Sequence, residues 1–173
     1  MTIQKLDPKD YQGKEFILRY STTGYYDIEK SEEGFCIIYK KFDTPTEMSF
    51  QDKFFNNWLE EPVAYGAFEG EKLLGYVEGT LEKWNNRYRI SNICIFEEVF
   101  RKVGIGTQLM NTILQEAILS GARMVVLETQ TCNENAIAFY KKHGFEIIGF
   151  DLYAYTNTDP KRREIRIEMG KFL

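Results

Sequence analysis

The stretch Phe100-Arg101-Lys102-Val103-Gly104-Ile105-Gly106-Thr107-Gln108-Leu109-Met110 sets a small glycine turn behind a basic residue and directly ahead of a helix-periodic segment. Lacking a β-carbon, Gly104 and Gly106 permit positive φ and close approach by a ligand. The first turn of the following helix leaves backbone N–H groups without intrahelical partners, and these, with the helix dipole, attract an anion. A Gly-x-Gly also closes an ordinary tight loop, so the surrounding sequence has to decide between the two.

Downstream, Ile105, Leu109, Ile113, Leu114, Ala117 and Ile118 fall on one helical face, and Ser120-Gly121 stops the helix. Met124 to Thr129 reads as a buried strand, Asn133 to Lys142 as a short helix closed by Gly144, and Phe145–Tyr155 and Glu164–Phe172 as two further strands joined by the polar turn Thr156-Asn157-Thr158-Asp159-Pro160. Upstream, Val63–Phe68, Lys72–Glu82 and Arg87–Phe96 are strand candidates. They are separated by Glu69-Gly70-Glu71 and Trp84-Asn85-Asn86, which favour an antiparallel meander. Earlier still, Tyr25–Glu29 and Phe35–Tyr39 flank Lys30–Gly34 as a hairpin, and Ser49–Leu59, with Phe50, Phe54, Phe55 and Trp58 at helical spacing, reads as a helix ended by Pro62. This order describes an α/β (α+β) chain with a mixed sheet of about seven strands and helices on both faces. The third glycine of a dinucleotide fingerprint is replaced by Leu109, and no Lys-Ser/Thr pair follows the turn, so neither a Rossmann site nor a P-loop fits.

Composition narrows the chemistry. At 173 residues, 43% hydrophobic and 28% charged, the chain fits one globular domain over 1–173 without disulfides. Neither a membrane-spanning run nor a signal-peptide core is present, which predicts a cytoplasmic protein that does not engage a membrane. Cys36, Cys94 and Cys132 are widely spaced and His143 is the single histidine, so no metal is expected. His143 itself sits beside Gly144 at a helix end, where it favours the dipole. A net charge of -4 disfavours nucleic acid and suits a cationic partner, although it also serves solubility.

Arg101-x-x-Gly104-x-Gly106 followed by Asn133-x-x-Ala136-x-x-Phe139-Tyr140-x-x-x-Gly144-Phe145 resembles the two cofactor motifs of the GCN5-related N-acetyltransferase (GNAT) superfamily, over about residues 63 to 150. The resemblance implies a single-domain GNAT fold and acetyl-CoA as donor. Its pyrophosphate would lie on Arg101, Lys102, Val103, Gly104, Ile105, Gly106 and Thr107. Its pantetheine arm would lie beside the strand end Cys94-Ile95-Phe96 and beside Asn133, Ala136, Phe139 and Tyr140, with either Ile95 or Phe96 as the last pantetheine-facing residue of the strand. Val103 departs from the family, where that position is often basic, and Lys102 is the residue to compensate. Glu82–Arg87, Leu127–Asn133 and Gly149–Asp159 further resemble streptothricin acetyltransferases, which acetylate the β-lysine amine of a cationic antibiotic.

Transfer to an amine requires a neutral amine, a polarised thioester carbonyl and a proton for the departing thiolate. The resemblance puts the Tyr140 hydroxyl near the coenzyme sulfur as proton donor; among 11 Tyr and 13 Phe, a tyrosine without that motif would be read as packing. Asn133 caps its helix and is also a candidate cofactor contact. For the general base, Glu82 comes first: it alternates with Glu78 on one strand face, so that both carboxylates either line a cleft or sit on a solvated face. Glu128, on the buried strand, is the other candidate, since an isolated buried carboxylate is costly unless paired or used. Trp84, Asp151, Tyr155 and Asp159 complete an anionic, aromatic acceptor pocket or serve structure alone. The sequence thus leads to an acetyltransferase for a small cationic amine, streptothricin first, working as a monomer or homodimer and conferring antibiotic resistance. A peptide amino-terminal acetyltransferase and a non-catalytic CoA-binding sensor are the alternatives.

Overall fold

A computed structural model describes residues 1–173. In chain order its elements are β1 (Thr2–Lys5), α1 (Pro8–Tyr11), β2 (Glu15–Ser31), β3 (Gly34–Lys53), β4 (Val63–Glu69), β5 (Lys72–Glu82), β6 (Arg87–Ile95), a 3-10 turn (Glu98–Phe100), α2 (Ile105–Leu119), β7 (Met124–Gln130), α3 (Glu134–Lys142), β8 (Glu146–Asp151), α4 (Asp159–Arg162) and β9 (Arg166–Phe172). Seven strands form a mixed sheet in the order β1-β4-β5-β6-β7-β9-β8, and β2 and β3 form a separate two-stranded sheet. The chain packs as two compact units: Met1–Leu18, Ser49–Val126 and Phe172–Leu173 in one, Arg19–Met48 and Leu127–Lys171 in the other. No helix is long and apolar enough to cross a membrane.

In the first unit β4, β5 and β6 match the expected meander to within a residue, and β1 adds antiparallel to β4. Apolar residues on one sheet face meet an aromatic cluster of Phe16, Phe54, Tyr76 and Phe96, with the Phe54 and Tyr76 ring centroids 4.4 Å apart. α2 packs against β4, β5 and β6 through Ile105, Leu109, Met110, Ile113, Leu114 and Ala117, all buried. At about 1.5–3 kcal/mol for each large apolar side chain removed from water, this face and not any cap secures the helix. Ile118, expected on the same face, is 51% exposed; Met110 is buried in its stead. The register of β5 against β6 slips at one point: Glu78 faces Asn92 and Gly79 faces Ile90, so Ser91 is the extra residue of a β-bulge.

The helix expected at Ser49–Leu59 does not form. β3 runs on to Lys53 and a turn follows. The Phe54 N–H is taken by Lys14 C=O (3.0 Å) and the Phe54 C=O by Gly13 N–H (2.9 Å), which leaves neither for a helical ladder. Phe55 then adopts φ 51°, a left-handed conformation that ends any right-handed helix. Of the four residues at helical spacing, Phe54 and Phe55 are buried whereas Phe50 and Trp58 are exposed, so the spacing reported neither the conformation nor a common buried face. Pro62 precedes β4; it does not close a helix.

In the second unit the β2–β3 hairpin matches the expected one but extends well beyond it, and β3 is exposed along most of its length. β8 pairs antiparallel with β9 and ends at Asp151, short of the expected Tyr155. Within the stretch expected as a plain turn, Asp159 and Pro160 open the short helix α4. Four buried residues, Met124 to Leu127, make β7 the expected buried strand up to Glu128, which is exposed.

Candidate active site

The donor motif of the first unit is built by the exit from β6. Cys94 is buried, and β6 ends at Ile95. The Phe96 N–H donates to Leu74 C=O (3.0 Å) and its ring stacks 6.1 Å from Tyr76, so Ile95 closes the strand and Phe96 packs beside the core just beyond it. Arg101 Nη2 donates to Ile95 C=O at 3.4 Å, fastening the loop to the strand end. Lys102 (φ 63°) and Gly104 (φ 93°) are left-handed, whereas Gly106, expected to share that freedom, has an ordinary φ inside the first turn of α2. No side chain caps α2, and its first intrahelical bond runs from Gln108 N–H to Gly104 C=O (3.1 Å). The N–H groups of Ile105, Gly106 and Thr107 therefore lie outside the helical ladder at the positive end of the dipole. A β-carbon on Gly104 would meet nothing within 4 Å, so glycine is required there by its dihedral angle and the approach to the turn is open. Lys102 and Val103 are exposed at the same turn. This donor set fits a pyrophosphate.

The second motif belongs to the second unit. Asn133 caps α3, its Oδ1 accepting from Ala136 N–H (3.3 Å). Ile137 and Tyr140 are the buried residues of α3, and the Tyr140 ring lies 5.7 Å from that of Phe139 and 6.2 Å from that of Phe145. Gly144 ends the helix at φ 83°, and the neighbouring His143 offers its carbonyl to Lys171 Nζ (2.9 Å).

A residue that the pattern of the chain did not single out holds this helix in place. The Glu134 carboxylate, one position after Asn133, accepts from Thr23 N–H (2.5 Å), Thr23 Oγ1 (2.8 Å), Gly24 N–H (3.1 Å), Thr22 Oγ1 (3.3 Å) and Tyr39 OH (2.6 Å). Partial burial raises its pKa, but these donors outweigh that and hold it below the ordinary value. The β2–β3 hairpin is thereby clamped to the start of the helix that carries Asn133 and Tyr140.

The acidic candidates separate into different environments. Glu82 accepts from Arg89 Nε (2.5 Å), Arg87 Nε (3.3 Å) and Asn85 Nδ2 (3.1 Å). Burial pushes its pKa up, yet these bonds and charges bring it down overall. Glu78 is fully buried and accepts from Phe55 N–H (2.6 Å) and Ser91 Oγ (2.8 Å), with burial driving its pKa upward. Only one of the two strand carboxylates is thus paired with cations.

Glu128, expected to be buried, is 41% exposed and lies 3.6 Å from Arg166, which also lies 3.6 Å from Asp151. Arg166, unnoticed in the sequence, links two of the proposed acceptor residues. Burial and the Glu128 charge push the nearby Tyr155 phenol well above its usual range. Asp159 turns inward on its own loop, accepting from Tyr155 N–H (2.8 Å), Thr156 N–H (2.9 Å) and Thr156 Oγ1 (2.6 Å), which uses its carboxylate for structure. Trp84 is 83% exposed and lines a groove of about 360 Å³ with Trp58, Glu60, Glu82 and Arg89. No group of three or more His, Cys, Asp or Glu is placed to hold a metal.

Residues 18–145 match the model of the acetyltransferase (GNAT) family. The chain belongs to that family. As a GNAT member it is an acetyltransferase. It is 28% identical over 168 residues to streptothricin acetyltransferase A of Bacillus subtilis (strain 168), covering 87% of this chain and 96% of that protein. In fold it is similar to nourseothricin acetyltransferase (TM-score 0.78, 22% identity, 99% of this chain and 97% of that one). It is also similar to a Bacillus anthracis str. Ames protein solved in complex with acetyl coenzyme A (TM-score 0.71, 22% identity, 99% and 98%).

Proposed function

We propose that the chain is an acetyl-CoA-dependent N-acetyltransferase for a primary amine of a small cationic molecule, streptothricin being the favoured acceptor and resistance to it the outcome. The observation that carries the donor side is the uncapped amino terminus of α2 behind the left-handed Lys102 and Gly104. The acceptor assignment is supported by similarity to a streptothricin acetyltransferase along nearly the full length of both chains. The whole of 1–173 is read as one acetyltransferase domain, with its cofactor-binding core at about 63–150.

Acetyl-CoA supplies the acetyl group as an activated thioester. The N–H groups of Ile105, Gly106 and Thr107 would hold its pyrophosphate, with Arg101 and Lys102 adding charge and Cys94, Ile95, Asn133, Ala136 and Phe139 flanking the arm. The Tyr140 hydroxyl holds the proton destined for the departing thiolate, and its burial keeps that proton away from bulk water. Glu128, Asp151, Tyr155 and the exposed Trp84 remain the acceptor-binding proposals; a carboxylate beside an aromatic ring attracts a cation. Glu82, already saturated by two arginines, is better suited to fixing the β5–β6 turn than to taking a proton.

Tyr140→Phe removes the proton and keeps the ring. At saturating acetyl-CoA its kcat is expected to fall about a hundredfold, with KM for acetyl-CoA within about twofold of the parent. An unchanged kcat would remove Tyr140 from the mechanism.

A further inference from the structure

Glu78 is a fully buried carboxylate whose two hydrogen-bond donors are both neutral: the Phe55 N–H on Oε2 and the Ser91 hydroxyl on Oε1. Asp52 from β3 adds a second carboxylate, itself held by Asn56 Nδ2 (2.8 Å) and Asn92 Nδ2 (2.9 Å). From the same strand as Glu78 comes the Tyr76 phenol, whose buried hydroxyl has no hydrogen-bond partner, and the thiol of Cys94 faces the group from β6. Burial and the Asp52 charge favour the protonated carboxyl, against the pull of the Phe55 and Ser91 donors, while the Arg101 charge reaches Cys94 from beyond the strand end. An apolar residue of similar volume would serve the core as well or better, so a carboxylate kept here points to use and not to stability.

The bulge provides the route. Ser91 is the extra residue of β6, and a bulge re-aims the side chain it carries. It is half-buried where Glu78 is sealed, it donates to Glu78 at 2.8 Å, and it stands four residues before the strand end that leads into Arg101 and the glycine turn.

We propose that Ser91 and Glu78 form a proton relay for the acceptor amine: the ammonium gives a proton to Ser91 Oγ while Ser91 passes its own to Glu78 Oε1. The step is balanced, since R–NH3+ and a carboxylate become R–NH2 and a carboxylic acid, with the serine hydroxyl restored. The free amine then carries the lone pair that attacks the thioester carbonyl. This inference rests on the amine-acceptor reading above and assigns the base within it to Glu78, acting through Ser91, in place of Glu82.

Two measurements on the full chain test it. In streptothricin acetylation, Glu78→Gln and Ser91→Ala are each expected to lower kcat/KM for the acceptor about a hundredfold and to abolish the acid limb of the pH profile, with KM for acetyl-CoA within about twofold. Independently of activity, and without acetyl-CoA, infrared difference spectra of the parent minus Glu78→Gln are expected to show a protonated carboxyl band persisting well above pH 4.5, the ordinary value for this group. A parent that acetylates no amine overturns the acceptor reading and the relay with it. An active parent whose Ser91→Ala variant keeps its rate and acid limb overturns the relay alone, as does a carboxyl band lost at the ordinary value.

Discussion

Two glutamates show how one side chain is put to opposite uses by its surroundings. Glu134 gathers five donors around an ionised carboxylate, so its pKa is lowered; its contribution to stability is present above the unfolded value of 4.5 and is lost as pH falls through the lowered folded value. Glu78 is the reverse: burial raises its pKa, so ionising it costs stability once the pH climbs above 4.5. Urea unfolding separates them. At pH 7 Glu134→Gln is expected to be about 1–2 kcal/mol less stable than the parent, with the gap closing below pH 4.5, because hydrogen bonds to a charge are lost. Glu78→Gln, which imitates the protonated acid, is expected to be at least as stable as the parent at pH 7 and to lose any advantage in acid. The same sign for both variants at pH 7 would contradict this reading of their environments.

At the scale of elements, α2 is the clearest case of pattern becoming structure. Its buried face repeats at helical spacing from Ile105 to Ala117, and the left-handed Gly104 fixes where it starts. Ile113→Ala is expected to cost about 2–5 kcal/mol and Ile118→Ala less than about 0.5 kcal/mol, measured by denaturant midpoint, although the sequence put both on one face. The meander β4–β5–β6, α2, β7 and α3 were all legible, because each carries its own periodicity and its own stop signal. β3 was misread at its end because Phe50, Phe54, Phe55 and Trp58 satisfy a helical period while Gly13 and Lys14, distant in sequence, claim the backbone bonds. β1 and α4 are four residues each, too short to show a period. The glycine turn ahead of α2 and the Asn133 cap of α3 were readable from glycine and cap chemistry. The acceptor side was not, since what Glu78, Glu82 and Glu134 do is decided by partners elsewhere in the chain: Phe55 and Ser91, Arg89, and Thr22 to Tyr39. The Ser91 bulge in particular exists only as a slip in strand register, which single-strand patterns do not record.

At the scale of the molecule, the glycine turn, Ser91 and Glu78 belong to the first compact unit, and Tyr140, Glu134 and Arg166 with its two carboxylates to the second. A chain carrying a net charge of -4 suits a polycationic acceptor, with attraction that weakens as salt is added. The most direct measurement is to incubate the purified chain with acetyl-CoA and either streptothricin or a peptide with a free amino terminus, follow free thiol, and weigh the products by mass spectrometry. Thiol release with streptothricin alone, matched mole for mole by mono-acetylated antibiotic, is the result expected. Release with the peptide and none with streptothricin would contradict the account.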